Sequence, residues 1–110
     1  KHFASTDVTA ILCASDMMAI GLIDGLNRQG IRIPDDISVI GFDDLELLRY
    51  TQYDLTTLRQ DFVKLGEAAF FQLHNLIKGK SSKRISIPCE LIKRGTVRKL
   101  NETKSAPPRE

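Results

Sequence analysis

The chain has little of several residue types that specialised classes of protein need. Among 110 residues there are two cysteines, two histidines and no tryptophan, and aromatic residues make up only 6%. Two histidines leave almost no material for a histidine-based metal site or for a nucleophile activated by histidine. No apolar run approaches the roughly 20 residues of a membrane-spanning helix, and no basic-then-apolar leader opens the chain. We therefore expect a soluble domain that holds no metal and no cofactor.

A strong excess of one charge is also missing. Sixteen lysine and arginine residues face fourteen aspartate and glutamate residues, which gives a formal net charge of +2. Such a near-neutral balance is not that of a nucleic-acid-binding surface. With 42% hydrophobic and 27% charged residues, the composition is typical of one globular domain. The start at Lys1 fits a processed chain, an expression product or a piece of something longer.

The two cysteines stand far apart in apolar stretches of the sequence. Neither Cys13 nor Cys89 belongs to a CxxC motif or to a Cys/His pair with metal-ligand spacing. Because cysteine packs like a small hydrophobe, we expect two buried free thiols. A disulfide between them is the alternative.

The first half of the chain predicts a strand, a helix and a second strand. Segments 8–14 and 37–42 are apolar and rich in β-branched residues, which predicts strands buried on both faces. The helix between them makes a βαβ unit, and such units are nearly always right-handed with parallel strands. The sequence therefore predicts an α/β fold built on a parallel sheet.

The predicted first helix carries an apolar face with two glycines on it. Ser15 and Asp16 supply N-capping side chains, and Gly30 is placed as the C-cap. The glycines predict that this face packs closely against the sheet. The face consists of Met18, Gly21, Leu22, Gly25 and Leu26.

The second half of the chain predicts one long helix among short extended segments. Apolar residues recur at helical spacing over 62–77, and Gly79 stops the pattern. Short strands are expected at 55–58, 85–87 and 90–92. We expect residues 99–110 to form a disordered tail, because only one large apolar residue stands among them.

Polar side chains follow both strands of the predicted βαβ unit. Ser15 and Asp16 follow the first strand, and Asp43 and Asp44 follow the second. In open α/β sheets, ligands bind outside the carboxyl ends of the strands. An ionised aspartate accepts paired hydrogen bonds from adjacent hydroxyls, which is the chemistry of polyol recognition. The structural alternatives are helix capping for Asp16 and Asp44, and a turn for Asp43.

An enzyme could use the same carboxylates, Asp16 and Asp43, as general acid and base or as Mg²⁺ ligands. That chemistry needs a further element, such as a nucleophile, a lysine at a strand end or a glycine-rich phosphate loop. Neither GxGxxG nor GxxxxGK[ST] occurs in the chain. We therefore expect no catalytic residue.

Several segments match a known family in their order and approximate spacing. The most specific is 34–44, which reads PDDISVIGFDD; ASDMMAIG at 14–21 precedes it and LIKRGT at 91–96 follows. On these segments the chain resembles the lactose/galactose-repressor family of bacterial transcription regulators. The resemblance extends over about residues 8–96.

The resemblance implies a fold like that of the periplasmic binding proteins of type I, in which two α/β lobes close on a small effector. It implies a cytoplasmic homodimer that binds operator DNA through an N-terminal helix-turn-helix. Residues 1–98 are then the C-terminal portion of the effector-binding domain, a partial domain without the DNA-binding part. Within it, 57–60 cross the hinge between the lobes and the helix 62–77 packs on the N-terminal lobe.

The resemblance also implies which residues bind the ligand. Ser15 stands where relatives often have asparagine, and Asp43 matches the frequent acceptor for hydroxyls or bases. Gln60 and Phe62 match cleft positions of the lactose-binding branch, and Asp16 matches a position that more often supports the strand end. The predicted function is effector binding, with a sugar or sugar derivative as effector, in a sugar-responsive regulator. A periplasmic-type sugar-binding protein of a transport system is the alternative.

Overall fold

A computed structural model describes residues 7–100 of the protein. Its centre is a four-stranded sheet in which β1, β2 and β3 run parallel and β4 runs antiparallel to β3. The predicted α/β class and the βαβ unit are confirmed. Most of the predicted tail, 101–110, lies outside the described residues. The elements are β1 (Ala10–Leu12), α1 (Asp16–Arg28), β2 (Ser38–Asp43), a 3₁₀ helix (Glu46–Tyr50), β3 (Thr56–Arg59), α2 (Phe62–Ile77) and β4 (Glu90–Ile92).

Strand β1 is shorter and more exposed than the sequence predicts. It pairs with β2 alone, at one edge of the sheet, and both Ala10 and Leu12 are exposed. Helix α1 packs over β2, so only Ile11 of this strand reaches the core. The prediction of burial on both faces is therefore wrong for β1, because an apolar run does not distinguish a central strand from an edge strand.

Capping side chains and glycine set the bounds of α1. The hydroxyl of Ser15 accepts a hydrogen bond from the amide of Met18 at 3.2 Å, which makes Ser15 the N-cap. Gly30 has φ +77°, and the next amide, that of Ile31, donates to the carbonyl of Leu26 at 3.0 Å. Gly30 thus stands just past the C-cap, in the left-handed conformation that commonly ends helices.

The buried face of α1 differs from the predicted one. Ala19, Ile23 and Leu26 are buried, whereas Met18 is 63% exposed. A Cβ atom added at either helical glycine, Gly21 or Gly25, would meet no atom within 4 Å. These glycines therefore provide no close approach to the sheet, and the predicted face overlaps the true one only at Leu22 and Leu26.

The core lies between α1 and the sheet, and the two cysteines differ in their relation to it. Cys13 is buried in the core and Cys89 is exposed, and both are free thiols. The prediction of two buried thiols is wrong for Cys89, because the segment before β4 forms no strand. The predicted strand at 85–87 is likewise absent. The core residues are Cys13, Ala19, Ile23, Leu26, Ile37, Val39, Leu48 and Leu55.

Helix α2 has the predicted bounds, but its side chains are more exposed to solvent than the sequence suggests. Asp61 caps it by accepting from the amide of Lys64 at 3.0 Å, and Gly79 follows its end with φ +68°. None of its 16 residues is buried. Over residues 7–100, no helix is long and apolar enough to cross a membrane.

Candidate ligand-binding site

The parallel strands bring the predicted polar residues to one edge of the sheet. Ser15 lies beyond the carboxyl end of β1, Asp43 ends β2, and Gln60 directly follows β3. This is the edge at which open α/β sheets bind ligands. The strand order β1-β2-β3 puts Asp43 between the other two.

Asp43 and Gln60 are joined directly. The side-chain amide of Gln60 donates to Oδ1 of Asp43 at 2.6 Å. Among residues 7–100 no second donor reaches the other carboxylate oxygen, Oδ2. Asp43 has φ +110°, a conformation that non-glycine residues rarely adopt and that is concentrated at functional sites. The geometry leaves one carboxylate oxygen of Asp43 as an acceptor for a ligand.

Asp44 is held by two arginines instead of capping a helix. Its Oδ2 accepts from Nε of Arg59 at 2.7 Å, and its Oδ1 accepts from a terminal nitrogen of Arg94 at 2.7 Å. Burial raises the pKa of Asp44, but the hydrogen bonds and charges of Arg94 and Arg59 outweigh it and place the pKa below its ordinary value. The 3₁₀ helix begins at Glu46 without any side-chain cap. The capping interpretation of Asp44 is therefore wrong.

Asp16 is fully buried beneath the same edge. The hydroxyl of Thr57 donates to Oδ1 of Asp16 at 2.5 Å, and the amide of Leu45 donates to Oδ2 at 2.8 Å. Since Ser15 is the N-cap, Asp16 does not cap α1. Its carboxylate instead ties the end of β1 to β3 and to the loop after β2.

Gly41 provides the space that Asp16 occupies. A Cβ atom at Gly41 would overlap Oδ1 of Asp16 and would stand 2.9 Å from Cδ2 of Leu55. A close approach that requires glycine thus lies in β2, whereas the sequence pattern placed it in α1.

A cleft of about 520 Å³ opens between the start of α2 and the segment before β4. Its volume is within the range of small-molecule pockets. Gln60 and Phe62 both line it, and the ring of Phe62 is 52% exposed. Ser15 and Asp43 are not among its lining residues, although Gln60 connects the cleft to Asp43. The lining is Arg59, Gln60, Asp61, Phe62, Val63, Lys64, Ile87, Pro88 and Glu90.

Together these residues offer a polar acceptor, an amide and an apolar ring. The carboxylate of Asp43 accepts from hydroxyls, the amide of Gln60 donates and accepts, and the ring of Phe62 offers a flat apolar surface. Within the described part of the chain, no group of three histidine, cysteine, aspartate or glutamate side chains could hold a metal ion. This chemistry suits a small polyhydroxylated ligand.

Two residues of this region have no local signal in the sequence. Arg59 and Arg94 stand 15 and 50 residues after Asp44, and only the pairing of β2 with β3 and of β3 with β4 brings all three together. A prediction of the full sheet order would have been needed to find them.

Residues 3–97 match the family described as periplasmic binding protein-like domain. The match covers far more than half of the chain, and the fold has the parallel sheet and the polar strand ends described above. The chain belongs to this family.

Curated relatives of the chain include transcriptional repressors. The HTH-type transcriptional repressor PurR of Vibrio campbellii is 44% identical over 95 residues, which are 84% of this chain and 28% of the relative. The chain therefore spans less than a third of that curated relative. The resemblance to the lactose/galactose-repressor family is confirmed.

Two solved structures extend the comparison. A LacI-family transcriptional regulator from Enterococcus faecalis V583 with bound ribose has a TM-score of 0.74 at 32% identity, over 89% of this chain and 38% of that one. A lac repressor dimer bound to operator and the anti-inducer ONPF has a TM-score of 0.69 at 37% identity, over 81% of this chain and 32% of that one.

Proposed function

We propose that this chain is part of the effector-binding domain of a cytoplasmic, DNA-binding transcriptional regulator. The observation that carries the proposal is the pair Asp43–Gln60 at the carboxyl edge of the sheet, with one carboxylate oxygen left to accept from a ligand. The repressor relatives support a regulator over a transport-type binding protein, and they support a role in binding instead of catalysis.

The proposed ligand is a sugar or a sugar derivative. Asp43 accepts from its hydroxyls, Gln60 and Phe62 contact it from the cleft, and Ser15 contacts it from the end of β1. The buried carboxylate of Asp16 supports this edge from below. The ribose bound in the Enterococcus faecalis relative supports this ligand class.

The proposed mechanism is a shift between two lobe arrangements. A ligand that binds better to the closed arrangement stabilises it, and the change alters the affinity of a homodimer for operator DNA. The DNA is bound through an N-terminal helix-turn-helix outside these 110 residues.

The proposal places residues 1–98 in the C-terminal portion of the effector-binding domain, with 57–60 crossing between the lobes. The absence of any buried residue in α2 supports it, because an apolar helix of this length is normally covered. In the complete regulator, α2 would pack on the N-terminal lobe.

Substitution of Asp43 by alanine in the complete regulator tests the proposal. The probes are ribose, other aldoses, disaccharides and ribonucleosides, titrated by calorimetry. For the compound that binds most tightly, Asp43→Ala removes a charged hydrogen bond of about 1.5–3 kcal/mol, so Kd should rise about tenfold to a hundredfold. Affinity for operator without ligand should stay unchanged.

Asp36→Ala is the matched control, because it also removes an aspartate carboxylate, but one that pairs with Arg32 on the exposed surface. It should leave the titration unchanged. An Asp43→Ala titration equal to that of the unsubstituted regulator, or a panel from which nothing binds, would contradict the proposal.

A further inference from the structure

The carboxylate of Asp44 joins three segments of the chain. Asp44 follows the end of β2, Arg59 ends β3, and Arg94 lies just beyond β4. Each carboxylate oxygen of Asp44 accepts from a different arginine at 2.7 Å. The side chain of Asp44 is only 9% exposed and that of Arg94 is 25% exposed, so the pair with Arg94 is screened by solvent less than an ordinary surface pair.

The two arginines are not equivalent. A second guanidinium nitrogen of Arg94 donates to the carbonyl of Leu55, and its backbone amide donates to the hydroxyl of Thr56, both at 2.9 Å. The side chain of Arg94 is 25% exposed, against 46% for Arg59. Arg94 is therefore the fixed partner, anchored at the start of β3, and Arg59 is the looser one.

The backbone between β2 and the 3₁₀ helix needs such a support. Asp43 and Asp44 both have positive φ, +110° and +54°. Two successive non-glycine residues with positive φ cost conformational free energy, and they persist only where the surrounding structure holds them. The side chain of Asp43 is held by the hydrogen bond from Gln60. The side chain of Asp44 is held by the hydrogen bonds from Arg59 and Arg94.

We infer that Asp44 is a positioning residue for the candidate ligand site: clamped by Arg94 and Arg59, it holds the turn that aims Asp43 at Gln60. Asp43 is also the register partner of Arg59, so Asp43–Gln60 and Asp44–Arg59 form two adjacent links between β2 and β3. Loss of the ion pairs between Asp44 and the two arginines frees the turn and breaks the hydrogen bond between Asp43 and Gln60.

The clamp also connects Asp43 to the strands that lead away from the site. Gln60 follows Arg59 directly, and Arg94 follows β4. A displacement of β3 or β4 therefore reaches Asp43 through the carboxylate of Asp44. This coupling rests on the proposed function, in which these segments cross between lobes, whereas the positioning of Asp43 does not.

The experiment is nuclear magnetic resonance on the 110-residue chain without ligand, with the side-chain amide of Gln60 as the probe. In the unsubstituted chain its protons are protected by the bond to Asp43. In Asp44→Asn the amide signal of Gln60 should shift. The amide protons should exchange with water about tenfold faster, which is the effect expected when a hydrogen bond to a charged group is lost. Asp36→Asn, which weakens an exposed arginine pair, should leave the signal in place.

Arg94→Lys is the second variant, because lysine keeps the charge but cannot hold Asp44 and the carbonyl of Leu55 together. It should change the Gln60 signal in the same direction. If Asp44→Asn does not fold, Arg94→Lys decides alone. A folded variant of either kind with the Gln60 signal and exchange rate of the unsubstituted chain would overturn the inference and leave Asp44 a merely structural residue.

This outcome is independent of the sugar titration. No ligand is present, so failure of the proposed function leaves the result standing. Conversely, an unchanged Gln60 signal leaves the Asp43→Ala titration as valid as before.

Discussion

Tyr53 and Asp24 link the loop before β3 to helix α1. The phenol of Tyr53 donates a hydrogen bond to the carboxylate of Asp24. This hydrogen bond is the largest cause that raises the pKa of Tyr53 above its ordinary value, and burial and the negative charge of Asp24 add to it. The folded chain thus holds the phenol proton more tightly than the unfolded chain does.

The pH dependence of stability follows from the raised pKa of Tyr53. Because the pKa of Tyr53 is raised on folding, its contribution to stability is fully present below the ordinary value of 10.0 and is lost as the pH rises through the higher value of the folded state. The chain has two tyrosines, so Tyr50→Phe isolates Tyr53. Titration of the phenolate by ultraviolet absorbance should then give a midpoint above 10.0.

The control is Asp24→Asn in the same Tyr50→Phe background. It removes the negative charge and the strongest acceptor, so the midpoint should fall toward the ordinary value. An equal midpoint with and without Asp24→Asn would show that the bond does not control this titration.

Strand β2 depends on a single glycine for its place beside α1. Gly41→Ala puts a methyl group against the carboxylate of Asp16 and the side chain of Leu55. Such overpacking costs about 1–3 kcal/mol of unfolding free energy. Denaturant unfolding, with the midpoint lowered at constant slope, measures the loss.

Gly21→Ala is the matched substitution in α1. Gly21 lies in open space, so alanine should stabilise the helix by about 0.5–1 kcal/mol. The two glycines should therefore respond with opposite sign. Equal effects would contradict the packing of β2 described above.

How far the sequence predicts each element depends on whether the signal is local. The bounds of α2 were predictable, because the periodicity over 62–77 and the glycine at 79 lie within one segment. The buried face of α1 was predictable only in part, because apolar residues such as Met18 also occur on the exposed side of the helix. The pairing of Asp44 with two arginines was not predictable, because ion pairs between distant segments leave no periodic pattern in the sequence. The predicted βαβ unit placed Asp43 at the carboxyl edge, whereas Gln60 was predicted only through the family resemblance.

The chain as a whole exposes the apolar surface of α2. Large side chains that would be expected in a core are open to solvent along this helix. A patch of this kind is rare on monomeric soluble proteins and marks an interaction surface or an aggregation liability. The exposed apolar residues are Phe62, Val63, Leu65, Phe70, Phe71, Leu73, Leu76 and Ile77.

We therefore expect the isolated chain to self-associate through α2. Sedimentation should give a mass that rises with concentration above the 12.3 kDa of one chain. Leu73→Glu places a charge on the apolar face and should shift the mass toward that of the monomer. It should also reduce the binding of hydrophobic dyes.

Asn75→Glu adds the same charge to the same helix at a half-buried polar position and should leave the mass unchanged. A monodisperse monomer that binds no dye, before any substitution, would contradict this expectation.

The two thiols differ enough to be told apart by a reagent. Burial raises the pKa of Cys13, and a buried thiol with a raised pKa is a poor nucleophile. Cys89 is exposed and lines a small cavity together with Gln60. An alkylating dye therefore finds one accessible sulfur, in a cavity that Gln60 also lines. A fluorophore attached at Cys89 should therefore report on changes at Gln60, which lines both this cavity and the cleft.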